Sequence, residues 1–452
     1  MHILKGYTKQ EISWMMYDWA NSAHSVIIVT LLPIFFDTVA GYTADSVSSM
    51  STWGYATSIA MLIVALAAPF LGVFGDIRGM RKKLFSFFML LGVAACAGMA
   101  FTPGMDFTSG PVAAGKVASL ILVLYIVSVI GFDASAIYYD AFLTDVATED
   151  RMDKVSTMGY GLGYIGGSTI PLLIFQIMNL VGVPMLTCLA FVFGLTAVWW
   201  LAFSLPLLKN CEQTSGKPYE KGDVARSIKG VGTTIKEIIA NKPMLIYILS
   251  YFFYIDGVHT VISMATTYGT NLGLDSTGMM LALLLVQILG LPFCLLYIKC
   301  SEKFGARTMV GFGICVYMFI CIFAFFMNSL WQFWVLAVLC ATSQGGIQAL
   351  SRSMYGKLIP DKDRSGEFFG FFDIFGKFSS IMGPALVGVV SSVVANGMLG
   401  VQGLTAQTAT AEQIDAINAQ SSHYGILSII IIIIVGAVLY FGFLPKAEHA
   451  KQ

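Results

Sequence analysis

Asp18, Asn21, Ser22 and Ser25 recur at i, i+3, i+4 and i+7 inside an apolar stretch, which places them on one face of one helix. A carboxylate, an amide and two hydroxyls on such a face suit the binding of a proton or a small polar solute. His24 lies off that stripe and is expected to border the same cavity. Asp256 and His259 stand one helical turn apart in a second apolar stretch. There they can hydrogen-bond, and a histidine beside a carboxylate exchanges protons near neutral pH. Asp133 and Asp140 are two turns apart on a shared face, and Asp140 also suits an ion pair with Arg81 or Arg151. Arg352 has the fork for bidentate recognition of a carboxylate, or it anchors the chain near Pro360. Asp373 and Lys377, at i and i+4, suit mutual neutralisation. An ionisable group inside a membrane helix costs about 2.5–3.5 kcal/mol on insertion scales, so each needs a partner or a role.

The elements that hold these residues are set by composition. Of 452 residues, 57% are hydrophobic and only 12% charged, with a mean hydropathy of +0.77. A soluble domain of this length needs about twice that charge to cover its surface. The chain is therefore read as a polytopic membrane protein. The 26 basic residues balance the 26 acidic ones, so no net charge argues for nucleic acid. The eight cysteines form no C-x-x-C pair and most sit in apolar runs, so neither a disulfide framework nor a metal site is expected. No H-E-x-x-H and no P-loop occurs, which removes support for zinc hydrolysis or ATP-driven pumping. The expectation is a protein that is not an enzyme and needs no cofactor.

Apolar segments long enough to span a bilayer fall near 14–36, 51–74, 84–102, 116–143, 156–180, 183–206, 243–270, 277–298, 308–327, 330–350, 366–395 and 423–444. Residues 1–11 have no apolar core and no small-residue cleavage site, so the first segment is expected to be a retained helix. With both termini and the central loop placed inside, Lys116 alone among the basic residues falls outside, and Arg352 and Lys377 lie within or at the ends of spans. Asp37, Asp45, Asp106, Asp275, Glu412 and Asp415 fall in the outer loops. The longest polar break divides the chain into an N-terminal six-helix bundle at 1–206, a linker at 207–241 and a C-terminal six-helix bundle at 242–452. In the linker Val224, Ile228, Val231, Ile235 and Ile238 recur at steps of three and four, with Arg226, Lys229 and Lys236 on other faces. That pattern reads as a basic amphipathic helix on the inner surface. In the outer loop 396–422, Thr410 and Gln413 are spaced for a capping box.

The two halves resemble each other. Tyr138–Pro171 aligns without gaps to Ser351–Pro384, setting Asp150-Arg151 on Asp363-Arg364, Gly163 on Gly376 and Pro171 on Pro384. Tyr17-Asp18-Trp19 likewise matches Tyr254-Ile255-Asp256, with the acid slipped by one. Duplicated bundles of this kind place a substrate site between them, and their rocking gives alternating access. Gly159, Gly163 and Gly167 repeat every four residues, a close-packing face. Trp199, Trp200, Trp331 and Trp334 read as interface anchors.

The loop Gly72-Val-Phe-Gly-Asp76-Ile-Arg78-Gly79-Met-Arg81-Lys82-Lys83 closely resembles the signature of the major facilitator superfamily, and a degraded copy stands at Glu302-x-x-Gly305-x-Arg307. The residues Asp18-Trp-Ala-Asn21-Ser22-Ala, Gly159-Tyr-Gly-Leu-Gly163-Tyr and Gly345-Gly-Ile-Gln-Ala-Leu-Ser-Arg352-Ser are together similar to the vacuole-effluxer family of that superfamily. The resemblance implies an all-α fold of twelve transmembrane helices in two pseudo-symmetric bundles, and amino acid efflux as the activity. The chain departs from the family pattern at His24, Asp140 and His259, each ionisable here.

Three functions compete: a secondary transporter, an intramembrane enzyme, and a sensor built on a transporter scaffold. The linker is too short for a sensor's output domain. The expected protein is a monomeric multi-pass transporter of a small polar solute, in the plasma (inner) membrane if its source is bacterial, with the lipid bilayer and, if it is coupled, protons as its other partners. Coupling to protons and simple facilitation both remain open. Substrate or proton binding is expected at Asp18, Asn21, Ser22, His24, Asp133, Asp256 and His259. Gating is expected at Asp76, Arg81, Asp140, Arg151, Arg352, Asp373 and Lys377, with Asp76, Arg81 and Arg151 in one charge network that stabilises an outward-open state. The topology has a direct test. A cysteine introduced at Gln402 should react with an impermeant thiol reagent added outside, and one at Lys217 should not; the reverse pattern would overturn the assignment.

Overall fold

The computed structural model describes residues 4–43, 49–218, 223–404, 408 and 410–444. Asp45 and the side chains of Val224, Arg226, Ile228 and Lys229 lie outside the described residues. The helices are α1 (Lys9–Ala40), α2 (Ser49–Gly75), α3 (Arg81–Met99), α4 (Pro111–Val146), α5 (Met152–Gly163), α6 (Ile170–Leu180), α7 (Met185–Asn210), α8 (Asp223–Ala240), α9 (Lys242–Asn271), α10 (Ser276–Phe304), α11 (Ala306–Phe325), α12 (Leu330–Leu358), α13 (Ser365–Val401) and α14 (Ala411–Val438). Among the described residues, twelve helical stretches are long and apolar enough to cross a membrane, and no strand is present. Each expected segment coincides with one of them. The segment expected at 156–180 is α5 and α6 joined by a π turn, Tyr164–Thr169. The capping box at Thr410 and Gln413 forms, and a second closes the start of α1 between Thr8 and Glu11. The central loop holds α8 as a helix, with Ile238 buried and Ile235 exposed.

The helices form two compact units. One holds Met1–Thr234 with Ile359–Ile374, the other Ile235–Leu358 with Phe375–Gln452. The division thus falls inside α8 and inside α13, whereas the sequence places 359–374 with the C-terminal bundle. The start of α13 belongs to the first unit because it packs there on α2. A Cβ at Gly366 would meet the carbonyl of Gly72 at 2.6 Å, and one at Gly370 would meet that of Ala68 at 2.5 Å.

Within the first unit α3 packs on α4 and α7, α1 on α7 and α5, and α2 on α4. Within the second, α11 packs on α12 and α14, α9 on α14, and α10 on α12. Four of the first unit's pairings, α3–α4, α3–α7, α1–α7 and α2–α4, recur at corresponding places in the second. Tyr17 bonds Ser135 of α4 at 2.8 Å and Tyr254 bonds Ser351 of α12 at 2.6 Å, so the first helix of each half is tied to the fourth by a buried tyrosine hydroxyl.

In lipid the hydrophobic effect does not drive helices together; close packing of small residues does. The glycine face of α5 meets α1 in this way. A Cβ at Gly163 would lie 2.6 Å from the Ser22 hydroxyl, and one at Gly167 would lie 2.6 Å from Ser22 Cβ and 2.7 Å from the Trp19 carbonyl. Overpacking of this kind costs about 1–3 kcal/mol. Gly167→Ala should therefore lower the unfolding temperature in detergent. Gly115→Ala, where nothing lies within 4 Å, should leave it unchanged or raise it. Equal effects of the two changes would contradict this packing.

Candidate gate and buried polar sites

The loop between α2 and α3 builds the densest polar site in the first unit. Gly79 turns the chain at φ +80°, a conformation glycine adopts without strain, and brings Arg81 back over Asp76. Arg81 is completely buried. One of its terminal nitrogens donates to Asp76 Oδ1 at 2.9 Å and to the Ser365 hydroxyl at 2.8 Å. The other donates to Asp145 Oδ2 at 2.5 Å, with the Ala141 carbonyl and the Ser215 hydroxyl each at 3.2 Å. The guanidinium also stands over the Phe142 ring, 5.7 Å from its centre.

Asp76 in turn accepts from the backbone amides of Gly366 at 2.7 Å and Glu367 at 2.8 Å. These are among the first amides of α13, which have no partner within the helix and sit at the positive end of its dipole. The acid thus caps a helix almost 300 residues downstream. Burial carries the Asp76 carboxyl up to about 7, against the downward pull of Arg81 and the two amides. Nearby, Glu367 and Arg364 pair at 3.0 Å, and both reach the Thr234 hydroxyl on α8.

Arg151 does not join this network. It pairs with Glu11 at the start of α1, at 2.5 and 2.7 Å, and donates to the Gly6 carbonyl. Hydrogen bonding to Glu11 raises its pKa and holds it charged. The partner that Arg81 takes on α4 is Asp145, five residues beyond the expected Asp140. Asp145 shows in the sequence only as an acid in the last turn of a span, a place where a loop partner is equally reasonable. Asp140 is half-buried, as are Asp373 and Lys377, which fall on opposite sides of the division within α13. Arg352 is buried on α12 in the second unit.

On the polar face of α1, Asp18 and Asn21 are buried, Ser22 is half-buried and Ser25 is exposed. Asp18 and Ser22 lie against Gly159 and Gly163 of α5. His24, expected to border a cavity, is instead in the core of the first unit. It stacks on Phe132 with ring centres 4.7 Å apart, leans on Trp200, and pairs through Nε2 with the Ser128 hydroxyl at 3.2 Å. Asp133 of α4 is also buried.

In the second unit Asp256 and His259 do not bond each other. Both reach across to α13. Asp256 Oδ1 accepts from the Gly383 amide at 2.8 Å and lies 3.4 Å from the Thr260 hydroxyl. Pro384, the next residue, has no amide to complete the helix ladder there. His259 Nδ1 lies 3.1 Å from the Ser380 hydroxyl and 3.4 Å from that of Ser379. Asp256 is fully buried, and its Oδ2 has no hydrogen-bond partner among the described residues. Gly383 and Thr260 are invisible as site residues in the sequence, because their role depends on which stretch of α13 meets α9. Among the described residues no cluster of His, Cys, Asp and Glu is arranged to hold a metal.

Twelve spans in two repeated halves, with a loop acid capping a distant helix, make this the fold of the major facilitator superfamily. The proton:xylose symporter XylE superposes with a TM-score of 0.71 over 97% of this chain and 95% of its own, at 14% identity. The human organic anion transporter MFSD10 does so with a TM-score of 0.64, at 12% identity over 96% and 99% of the two chains. Residues 41–405 match the family model described as vacuole effluxer Atg22 like, and the chain belongs to that family. It is 40% identical over 452 residues to the uncharacterized MFS-type transporter YxiO of Bacillus subtilis (strain 168), covering 98% of this chain and 96% of that one. Autophagy-related protein 22-1 of Aspergillus niger (strain ATCC MYA-4892 / CBS 513.88 / FGSC A1513) is 26% identical over 263 residues, 53% of this chain and 42% of its own length. The chain is thus an MFS-type transporter, an integral multi-pass membrane protein and not an enzyme.

The gate geometry sets a ranking of variants. Arg81 and Asp145 side chains are both fully shielded from solvent. Removing one partner of such a pair costs about 3–5 kcal/mol, since the other charge is left buried and alone. Arg151 is partly exposed, so its pair with Glu11 is worth less. Asp145→Ala should lower the thermal stability of the purified protein more than Arg151→Ala does; the opposite order would contradict the buried network.

Proposed function

We propose that this transporter exports a small zwitterionic solute, of the amino acid class, by alternating access coupled to protons. The observation that carries the reading is Asp256, a buried carboxylate with one oxygen bonded to Gly383 and Thr260 and the other without a partner among the described residues. An orphaned carboxylate oxygen away from water is costly. A proton or a cationic ammonium group relieves it, and exchange between the two is the elementary step of coupling. The family description as an effluxer supports export. The duplicated halves support rocking as the means.

In this cycle Asp76 is the latch. Its bonds to Gly366 and Glu367 hold 359–374 in the first unit, and they break when that stretch moves with the rest of α13. The basic residues of the 72–83 loop and the linker support a cytoplasmic side for this latch and for both termini. His259 contributes through its bonds to Ser379 and Ser380, next to the Asp256 contact, and not through a bond to Asp256 itself.

A second reading has the same support from Asp256. The carboxylate binds the ammonium of the substrate, and the protein is a facilitator. Liposomes separate the two. With a pH gradient and no substrate gradient, a coupled carrier accumulates an amino acid that it demonstrably exchanges, and a facilitator does not. If accumulation occurs, Asp256→Asn should abolish it while leaving exchange measurable. Absence of accumulation by the wild type would overturn the proton role.

A further inference from the structure

The sequence reads the linker at 207–241 as an amphipathic helix on the inner surface. Its first residues are instead stitched into the latch. Gln213 Oε1 accepts from the amides of Gly79 at 2.9 Å and Arg81 at 3.3 Å, and its Nε2 donates to the Gly75 carbonyl at 2.9 Å. One side chain therefore satisfies the backbone on both sides of Asp76. Asp145 Oδ1 accepts from the amides and hydroxyls of both Thr214 and Ser215, at 2.7–3.0 Å, while its other oxygen holds Arg81. Lys217 pairs with the motif loop as a short parallel bridge, its amide donating to the Asp76 carbonyl at 3.0 Å and its carbonyl accepting from the Arg78 amide at 2.9 Å. Between them Gly216 takes φ +113°, where a side chain would be strained and a Cβ would meet the Asp76 carbonyl at 2.6 Å. Its amide donates to Asp363 Oδ1 at 2.8 Å, two residues before α13 begins.

We propose that Gln213–Lys217 is a gating strap: a segment of linker that positions Asp76 and Arg81 for their bonds to the start of α13, and whose release frees that helix. This rests on the latch role of Asp76 proposed above. The argument is geometric. The strap touches the loop before Asp76, the loop after it, the second acid of Arg81, and the residue that leads into α13. Asp76 needs its carboxylate aimed at two adjacent amides. The loop's own turn bonds, from Asp76 to Val73, Ile77 to Phe74 and Met80 to Ile77, are joined by the strap's bonds to Gly75, Asp76, Arg78, Gly79 and Arg81. Linker and latch then engage and release together.

Hydrogen–deuterium exchange on the full-length protein in nanodiscs tests this. Gln213→Ala should speed exchange about tenfold in peptides holding the Gly366 and Glu367 amides, although Gln213 bonds neither of them. Thr214→Val with Ser215→Ala should give a smaller rise at the same amides. Faster exchange confined to 75–83 and 211–218, in both variants, would overturn the strap and leave it a local structural turn. Asp76→Asn is the control for the latch. If it speeds exchange at Gly366 and Glu367 and the linker variants do not, the strap alone fails. If it has no effect there, the latch fails and the strap with it. Exchange in α1 peptides reports on folding, and if Gln213→Ala raises it, the Thr214 and Ser215 variant decides.

Discussion

A guanidinium buried without solvent is the constraint around which the first unit is arranged. Moving an unpaired cation out of water costs far more than a domain's net stability, so Arg81 must be surrounded by acceptors. It collects them from places distant in sequence: Asp76 beside it, Ala141 and Asp145 at the end of α4, Ser215 in the linker and Ser365 at the start of α13. Each acceptor has further obligations. Asp76 caps α13, and Asp145 holds Thr214 and Ser215. The result is a polar knot in which no bond is independent of the next. Such a network has few intermediate states, because losing one acceptor leaves a charge short.

The same region shows how glycine placement serves that network. For Asp76 to reach the Gly366 and Glu367 amides, α2 and the start of α13 must approach almost backbone to backbone. Gly72, Gly366 and Gly370 permit it, since a Cβ at any of them would strike the facing chain. On the other side of the unit Gly159, Gly163 and Gly167 do the same for α5 against α1. Close backbone approach replaces the hydrophobic drive that lipid cannot supply. It also explains why Asp18 and Ser22 are covered where an open polar face was expected: the glycine face of α5 fits over that stripe.

The second unit carries its own version of an acid on a helix amide. Asp256 meets the Gly383 amide beside Pro384, as Asp76 meets the amides at the head of the same helix, α13. In the first case the acid is fully committed, to two amides and an arginine. In the second, one oxygen has no partner among the described residues. That difference separates an acid wholly committed to the fold from one with an unused acceptor.

Much of this architecture was legible in the chain. Twelve spans, a duplicated half and the motif loop follow from local properties: apolar run length, a fixed offset between repeats, and the spacing of Gly72, Asp76, Gly79 and Arg81. The pairing of helices within each half follows from the repeat. Residue partnerships were less legible, because a sequence shows which groups are costly to bury but not which acceptor lies across the gap. Arg81 had several acids within reach along α4, and only the packing of α3 on α4 selects Asp145 over Asp140. Arg151 looked like a member of the same cluster, yet the entry of α1 sets Glu11 beside it. Asp256 and His259 stand one turn apart, as their spacing requires, but α13 offers each a better partner than the other. The chain by itself determined which segments span, where they repeat, and which charges need company. Only the tertiary structure decided who keeps it, because hydrogen bonds act over about 3 Å and that distance is set by packing between helices far apart in sequence.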